Sequence, residues 1–231
     1  MARINNYNVE KIIDELNNKG HSKFINNLEL MEIKGKLHKN EYKIYSPLEE
    51  SSKLILYKDE VPNIILLKIN SKVKLRHQDI MGTIYSLGVK EDTFGDIFKI
   101  DDTFYFFCLE ELKDYFKYNL TSIKNNSVVL EEVDLSIKDL YTPEFEEIKL
   151  IVSSLRIDNV ISTLINRSRG SIEDLINNKD INLNYSTEFK MTRLLSPGDI
   201  FSVRRYGKYK FKEIVTETKK NKLVIIIQKY L

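Results

Sequence analysis

Residues 154–205 read SLRIDNVISTLINRSRGSIEDLINNKDINLNYSTEFKMTRLLSPGDIFSVRR, and this stretch decides how the C-terminal third of the chain folds. Its first apolar residues recur at helical spacing: Ile157, Val160, Ile161, Leu164 and Ile165. A second helix follows, with Ile172 and Ile176 on its apolar face and either Ser168 or Ser171 as its cap. Pro-Gly-Asp at 197–199 predicts a turn before the closing strands.

Three arginines stand where these two helices begin or connect: Arg156, Arg167 and Arg169. The N-terminus of a helix offers free backbone N–H groups and the positive end of the helix dipole, and both favour a phosphate. Guanidinium groups add a planar fork of donors that matches phosphate geometry. The pattern therefore predicts a surface that binds a polyanion.

Basic residues also mark the strands that follow. We predict a strand from Ile200 to Arg205 that continues through YGKYKFKEI at 206–214. With a period of two, its basic face would carry Arg204, Tyr206, Lys208, Lys210 and Lys212, opposite Tyr209 and Phe211. The alternative is a half-buried strand whose lysines coat a solvated face and protect an edge. The candidate RNA-binding residues are Arg156, Arg167, Arg169, Arg204, Arg205, Lys208 and Lys210.

The charge of the chain is unevenly distributed. The net charge is +2, but residues 151–231 hold 15 Lys and Arg against 8 Asp and Glu, a balance of +7. Residues 1–150 hold 21 against 26, a balance of −5. The difference favours a polyanion-binding module joined to an acidic carrier, although a chance imbalance on a solvated surface would look the same.

The chain as a whole predicts an α+β fold. Residues 1–40 predict a helical N-terminal segment, with Gly20 as a stop and Ser22 as the cap of a second helix that contains Phe24. Residues 41–134 predict a central α/β domain, whose order from Ile64 onward is β-α-β-β-α-β, as in ferredoxin-like and RNA-recognition (RRM-like) folds. Residues 135–152 predict a linker with a short helix or strand, and residues 153–231 the basic C-terminal domain.

The aromatic run Phe104-Tyr105-Phe106-Phe107 lies on the third strand of that central domain. In RNA-recognition modules, aromatic side chains at such positions stack on bases. Four aromatics in a row must alternate between the two faces of the sheet, and no flanking Lys/Arg-Gly signature is present, so core packing is favoured. Cys108, in the same apolar run, predicts a buried thiol.

The remaining sequence features bear on location. A single cysteine excludes an internal disulfide and indicates a reducing compartment. The N-terminus lacks the apolar stretch of a signal peptide, and the longest apolar runs are too short to span a bilayer. These features predict a cytoplasmic protein.

Signatures of catalysis are missing. The glycines include no Gly-x-Gly pair for a dinucleotide or methyl-donor loop, and no P-loop Gly-Lys-Ser/Thr occurs. Three dispersed histidines and one cysteine make no metal-binding pattern. We therefore predict a protein that holds RNA without changing bonds, with no cofactor, metal or small-molecule substrate. An RNA-modifying enzyme with an unrecognised site is an alternative.

Two resemblances narrow the interpretation. LRID, SRGSIEDLI, INLN and SPGDIFSVR, within residues 154–205, resemble the RNA-binding domain first recognised in small-subunit ribosomal protein S-four. That pattern has Arg-Leu-Asp opening one helix and Ser-Arg opening the next; here Ile157 replaces the leucine. HQDIMG at 77–82, LGVK at 87–90, FGDI at 94–97 and VRRYGKYKF at 203–211 are similar to YlmH-like proteins.

The resemblance implies a bacterial ribosome-associated protein that binds rRNA and tRNA on the large subunit. Its expected role is ribosome-associated quality control of stalled peptidyl-tRNA complexes. By matching positions, Arg156 and Arg169 would be the chief RNA contacts, and Asp158 would orient the module. The acidic residues 1–150 leave open a second hypothesis, a cell-division-linked factor that contacts other proteins.

Overall fold

The computed structural model describes residues 6–184 and 186–230. The chain divides into two compact units, with the boundary between Thr142 and Pro143. We call the residues up to Thr142 the N-terminal unit and those from Pro143 the C-terminal unit. Both units mix helices with antiparallel sheets, which confirms the α+β prediction. Across the described ranges, none of the helices combines the length and apolar character needed to cross a bilayer.

The N-terminal unit begins with two helices and a small antiparallel sheet. The elements are α1 (Asn6–Lys19), β1 (His21–Asn26), α2 (Asn27–Lys34), β2 (Lys43–Tyr45) and β3 (Lys53–Tyr57). The strand order is β1-β3-β2.

Two helices are present, as predicted, but the second begins later than expected. Gly20 follows α1 with a positive φ of 77°. Ser22 does not cap α2, because it lies in β1, where its hydroxyl accepts a hydrogen bond of 2.9 Å from the Leu56 amide on β3. Asn26 caps α2 instead, and Glu29 completes a capping box. Pairing with β3, which is distant in sequence, overrides the helical spacing here.

The next part of the N-terminal unit is the central domain, which has the predicted β-α-β-β-α-β order. It begins at Ile64 and not at residue 41, because β2 and β3 pair in the sheet with β1. Its elements are β4 (Ile64–Ser71), α3 (His77–Ser86), β5 (Phe94–Ile100), β6 (Thr103–Leu109), α4 (Lys113–Asn119) and β8 (Asn126–Val133), with a short β7 (Ser122–Ile123) before β8. The five strands are ordered β5-β6-β4-β8-β7, and every pair is antiparallel.

Buried residues lie on both faces of this five-stranded sheet, although Val129 of β8 is exposed on the second face. On one face Phe104, Phe106 and Cys108 pack against α3 and α4. On the other face Tyr105 and Phe107 pack in a cluster with Phe24 of β1, Ile55 of β3 and partly buried residues that follow β8, namely Leu135, Ile137 and Tyr141. The aromatic run is therefore core, as the sequence favoured, and the Cys108 thiol is buried.

The C-terminal unit packs two helices on a six-stranded antiparallel sheet. Its elements are β9 (Phe145–Val152), α5 (Ile157–Leu164), α6 (Arg169–Asn177), β10 (Ile181–Leu183), β11 (Ser186–Thr187), β12 (Ile200–Val203), β13 (Gly207–Glu217) and β14 (Leu223–Tyr230). The strand order is β11-β10-β12-β13-β14-β9.

The predicted linker over residues 135–152 is largely structured. Residues 135–140 form a 3-10 helix, and β9 pairs with β14 along its whole length, from Val152 with Leu223 to Phe145 with Tyr230. Leu150 and Val152 are buried in the core beneath α5 and α6. A strand whose partner lies some eighty residues away in sequence has no local signal that separates it from a linker.

Gly95 marks the closest approach between β5 and the residues that cover the sheet. A Cβ atom built there would lie 2.8 Å from Phe24 Cε1 and 2.9 Å from Phe107 Cβ. Because neither ring can move without disturbing the buried cluster, we expect Gly95→Ala to lower the free energy of unfolding by about 1 to 3 kcal/mol. Urea denaturation followed by circular dichroism measures this change.

Gly82 in α3 provides the matched control, because a Cβ atom there would meet nothing within 4 Å. Gly82→Ala should leave stability unchanged or raise it by up to about 1 kcal/mol, since alanine favours helix. Equal stability of the Gly95→Ala and Gly82→Ala proteins would show that Phe24 does not pack tightly on the sheet.

Candidate nucleic-acid interface

The N-terminus of α5 is held in place by its apolar stripe and by a neighbouring loop. Ile157, Val160 and Ile161 are buried in the core of the C-terminal unit, as the spacing predicted. Arg156 is the N-cap residue, with extended φ and ψ of −60° and 136°. The Ile157 amide donates a 2.7 Å hydrogen bond to the Arg193 carbonyl, so the chain before α5 is paired on one side.

Asp158, the second residue of this helix, is the organising residue of the site. Its side chain is 1% exposed. Oδ1 accepts hydrogen bonds from Arg156 Nε (3.1 Å) and from the Asn159 amide (2.8 Å), and Oδ2 accepts one from Arg156 Nη2 (2.8 Å). Arg169 Nη2 lies 3.3 Å from the same Oδ2. One buried carboxylate thus holds two guanidinium groups, one from the start of each helix.

The two guanidinium groups remain accessible although they share an anion. The Arg156 side chain is 35% exposed and that of Arg169 is 59% exposed. An arginine has five N–H donors, so the bonds to Asp158 leave most of them available to a ligand. Two positive charges on one carboxylate also leave the cluster cationic. The arrangement can bind an oxyanion such as a phosphate.

Arg167 extends this cluster along the connection between α5 and α6. It is exposed, and its backbone is tied to α5 by hydrogen bonds from its amide to the Ser162 carbonyl (3.0 Å) and from the Ser162 hydroxyl to its carbonyl (2.6 Å). Ser168 caps α6 by accepting from the Ser171 amide, which decides between the two predicted caps. Within the described ranges we find no ion pair that engages Arg167.

Arg193 is a cation near the site that sequence patterns missed. It is exposed and lies in the loop between β11 and β12, next to Leu194, whose backbone forms an isolated antiparallel bridge with Arg156. That bridge brings together residues nearly forty positions apart. The only available signal was the basic character of the loop, which does not show where the loop packs.

The predicted continuous strand through residues 200–214 is instead a hairpin. β12 ends at Val203, which pairs with Gly207 at the start of β13, and the three residues between them form a turn. Arg205 in this turn has a positive φ of 70°, a left-handed value that a continuing strand does not adopt. Arg204 is exposed and its Nη1 lies 3.2 Å from Asp180 Oδ1, where α6 leads into β10. Arg204 therefore does not share a strand face with Lys208.

The alternation within β13 itself is confirmed. Tyr209 and Phe211 are buried in the core beneath the helices, so Lys208, Lys210 and Lys212 lie on the opposite face of the sheet. Lys208 Nζ sits 4.4 Å from the centroid of the Tyr230 ring, and Lys212 Nζ lies 2.7 Å from Glu147 Oε1. The candidate residues thus separate into an arginine cluster at the helices, an arginine turn, and a lysine face across the sheet.

The Cys108 thiol is not available for covalent chemistry. Burial, with a further contribution from Glu132, raises the pKa of the Cys108 thiol to about 12, so it is protonated and not nucleophilic. Over residues 6–184 and 186–230, no group of three or more His, Cys, Asp and Glu side chains could hold a metal ion.

Comparisons with known proteins show similarity to a described domain family and to one curated relative. Residues 62–137, which span the central domain, match the family described as "Putative RNA-binding domain in YlmH". The chain is 27% identical over 150 residues to the ribosome-associated protein quality control protein P2 of Bacillus subtilis (strain 168). That alignment covers 65% of this chain and 58% of the relative, so the chain matches little more than half the length of that protein.

Among solved structures, the chain is similar to a protein titled "Cell division protein ylmH from Streptococcus pneumoniae", with a TM-score of 0.44 and 23% identity. The similarity covers 57% of this chain and 90% of that one. The family match over the central domain confirms the resemblance noted in the sequence. Over residues 62–137 this chain is therefore similar to the putative RNA-binding domain of YlmH proteins.

Proposed function

We propose that this chain is a non-enzymatic RNA-binding protein that docks on rRNA and tRNA of the large ribosomal subunit. Its proposed role is in ribosome-associated quality control of stalled peptidyl-tRNA complexes, in the cytoplasm of a bacterium. The observation that carries the proposal is the pair of exposed guanidinium groups that Asp158 holds at the starts of α5 and α6. The family match of the central domain and the name of the Bacillus subtilis relative support it independently.

The physical basis is electrostatic docking on a shaped surface. Arg156 and Arg169 are ordered before any ligand arrives, so binding loses little of their side-chain entropy. Contacts to phosphates position a protein on folded RNA without reading its sequence. Arg167 would bind the same RNA segment as Arg156 and Arg169. Lys208 and Lys210 lie on the other face of the sheet, so they would bind a separate segment.

The S-four-type assignment of residues 153–231 belongs to this proposal. It rests on the LRID and SRGSIEDLI motifs, whose arginines meet at Asp158. No cofactor or small-molecule substrate is needed for such a role. Contacts with division proteins stay a prediction from the acidic balance of residues 1–150.

Reversing the two clustered charges tests the proposal directly. Arg156→Glu with Arg169→Glu should abolish co-sedimentation with large ribosomal subunits, because three carboxylates would then face the RNA phosphates at this point. Lys219→Glu with Lys220→Glu, at the exposed turn between β13 and β14, makes the same change in net charge and should sediment like the wild type. Wild-type sedimentation of the arginine variant, with an unaltered circular dichroism spectrum, would remove these two residues from the interface.

Salt dependence tests whether phosphates dominate the affinity. If about five phosphates are engaged, a plot of log affinity for rRNA against log salt should have a slope of roughly −4. Filter binding over a KCl series measures it. An affinity that does not change with salt would contradict electrostatic docking.

Substitution of Asp158 tests whether rRNA affinity depends on the positions of the two guanidinium groups or only on the net charge. Asp158→Asn raises the net charge by one but leaves the two guanidinium groups without their shared anion, so rRNA affinity should fall, and stability should drop by about 1 to 3 kcal/mol. Asp174→Asn, at an exposed position of α6, makes the same charge change without touching the cluster and should leave affinity unchanged or slightly higher. Tighter binding by both variants would mean that charge alone matters.

A further inference from the structure

The central domain does not offer the surface through which RRM-like sheets stack on bases. One face of its sheet packs on α3 and α4, and the other is covered by β1, β3 and the residues after β8. Phe98 in the second cluster already stacks on Tyr105 and Phe107, with ring centroids 5.7 and 5.2 Å apart. Stacking of bases on Tyr105 or Phe107 is therefore blocked, because both rings belong to the core.

Three connections meet at one end of the sheet. Ser71, the last residue of β4, pairs with Val128 near the start of β8, and Ile69 pairs with Phe104 near the start of β6. This register places the connection from β4 to α3 beside the β5–β6 turn and the β7–β8 turn. We call residues 72–76, 99–103 and 123–126 the loop end.

The connection from β4 to α3 reads KVKLR at 72–76 and contains no acidic residue. Leu75 is partly buried against the core of the domain, which anchors the segment. Its neighbours Lys74 and Arg76 point outward, with side chains 84% and 69% exposed. Lys72 is also exposed.

Two carboxylates hold cations from different connections together. Asp79 of α3 binds Arg76 through Nε (2.8 Å) and Nη2 (3.0 Å), and lies 3.0 Å from Lys124 Nζ of the β7–β8 turn. The bond from Arg76, with a further one from Lys124, lowers the pKa of Asp79 to about 2, so this anion is permanent at neutral pH.

Asp102 of the β5–β6 turn has the same arrangement. It lies 3.3 Å from Lys74 Nζ and 3.3 Å from Lys99 Nζ. Hydrogen bonds from these two lysines, Lys74 first, lower the pKa of Asp102. In each case one carboxylate orders two exposed cations, as Asp158 does in the C-terminal unit.

The loop end is a cationic patch within an acidic region. Its cations outnumber the carboxylates beside them: Lys72, Lys74, Arg76, Lys99 and Lys124 face Asp79, Asp101 and Asp102. Residues 1–150 as a whole carry a balance of −5, so this local excess of positive charge runs against its surroundings.

We infer that the loop end is the surface through which the central domain binds the phosphate backbone of RNA. This inference rests on the proposed RNA-binding function and names a second contact site for it. Lysine ammonium groups bind phosphates as point charges, and contacts to phosphates carry no sequence information. RNA is the expected ligand because of charge complementarity: the exposed lysine and arginine cations, which Asp79 and Asp102 hold together, suit a polyanion.

The test uses the full chain and rRNA extracted from large ribosomal subunits. Lys72→Gln, Lys74→Gln and Lys124→Gln together should weaken binding about tenfold and make the log–log salt slope shallower by about 2 to 3. Arg76 is kept, so Asp79 retains its bidentate partner. Lys58→Gln, Lys90→Gln and Lys113→Gln remove the same charge elsewhere in the N-terminal unit and should leave affinity and slope unchanged.

Two results would overturn the inference in distinguishable ways. If the triple variant binds like the wild type while Arg156→Glu with Arg169→Glu weakens binding, the loop end is not a contact site and the proposed function stands. If the wild type binds no rRNA, the proposed function fails and this inference with it. Lys74→Glu, which breaks only an exposed pair with Asp102, provides a second variant should the triple variant melt at a lower temperature than the wild type.

Discussion

The charged surface of the C-terminal unit depends on one buried carboxylate. Asp158 is almost fully enclosed, and an enclosed carboxylate without partners is strongly unfavourable, so Arg156 and Arg169 are required to stay beside it. The helices alone would present two long, mobile arginines. The shared anion converts them into an ordered pair whose remaining donors face solvent, which is the property that a phosphate site needs.

Carboxylates that each hold two cations recur in the central domain, for a different reason. There one apolar face of the sheet packs against α3 and α4, and the other packs against β1 and β3. The aromatic residues that could stack on bases are thereby committed to the core. Exposed charge is left at the loop end, where Asp79 and Asp102 each hold two cations.

Local patterns predicted much of this fold. The stripe from Ile157 to Ile161, the β-α-β-β-α-β order and the burial of the aromatic run all follow from periodicity, which reports on contacts with the element's own core. The errors have a common cause. Ser22 lies in a strand because β3 pairs with it. The strand β9 belongs to the C-terminal sheet, and not to a linker, because β14 pairs with it. Arg205 lies in a turn because β12 and β13 fold back on each other. Each depends on a partner that spacing alone does not reveal.

Local properties of the sequence already show which residues are charged, which stripes are apolar, and that the arginines of LRID and SRG stand at helix starts. Which of these charges share a surface depends on tertiary packing. Asp158 brings Arg156 and Arg169 together, and the backbone of a distant loop places Arg193 near the start of α5. The pleat of β13 turns Lys208 and Lys210 to the opposite face. Side chains from separate elements become neighbours only through packing and strand register. The residue spacing within one segment predicts neither.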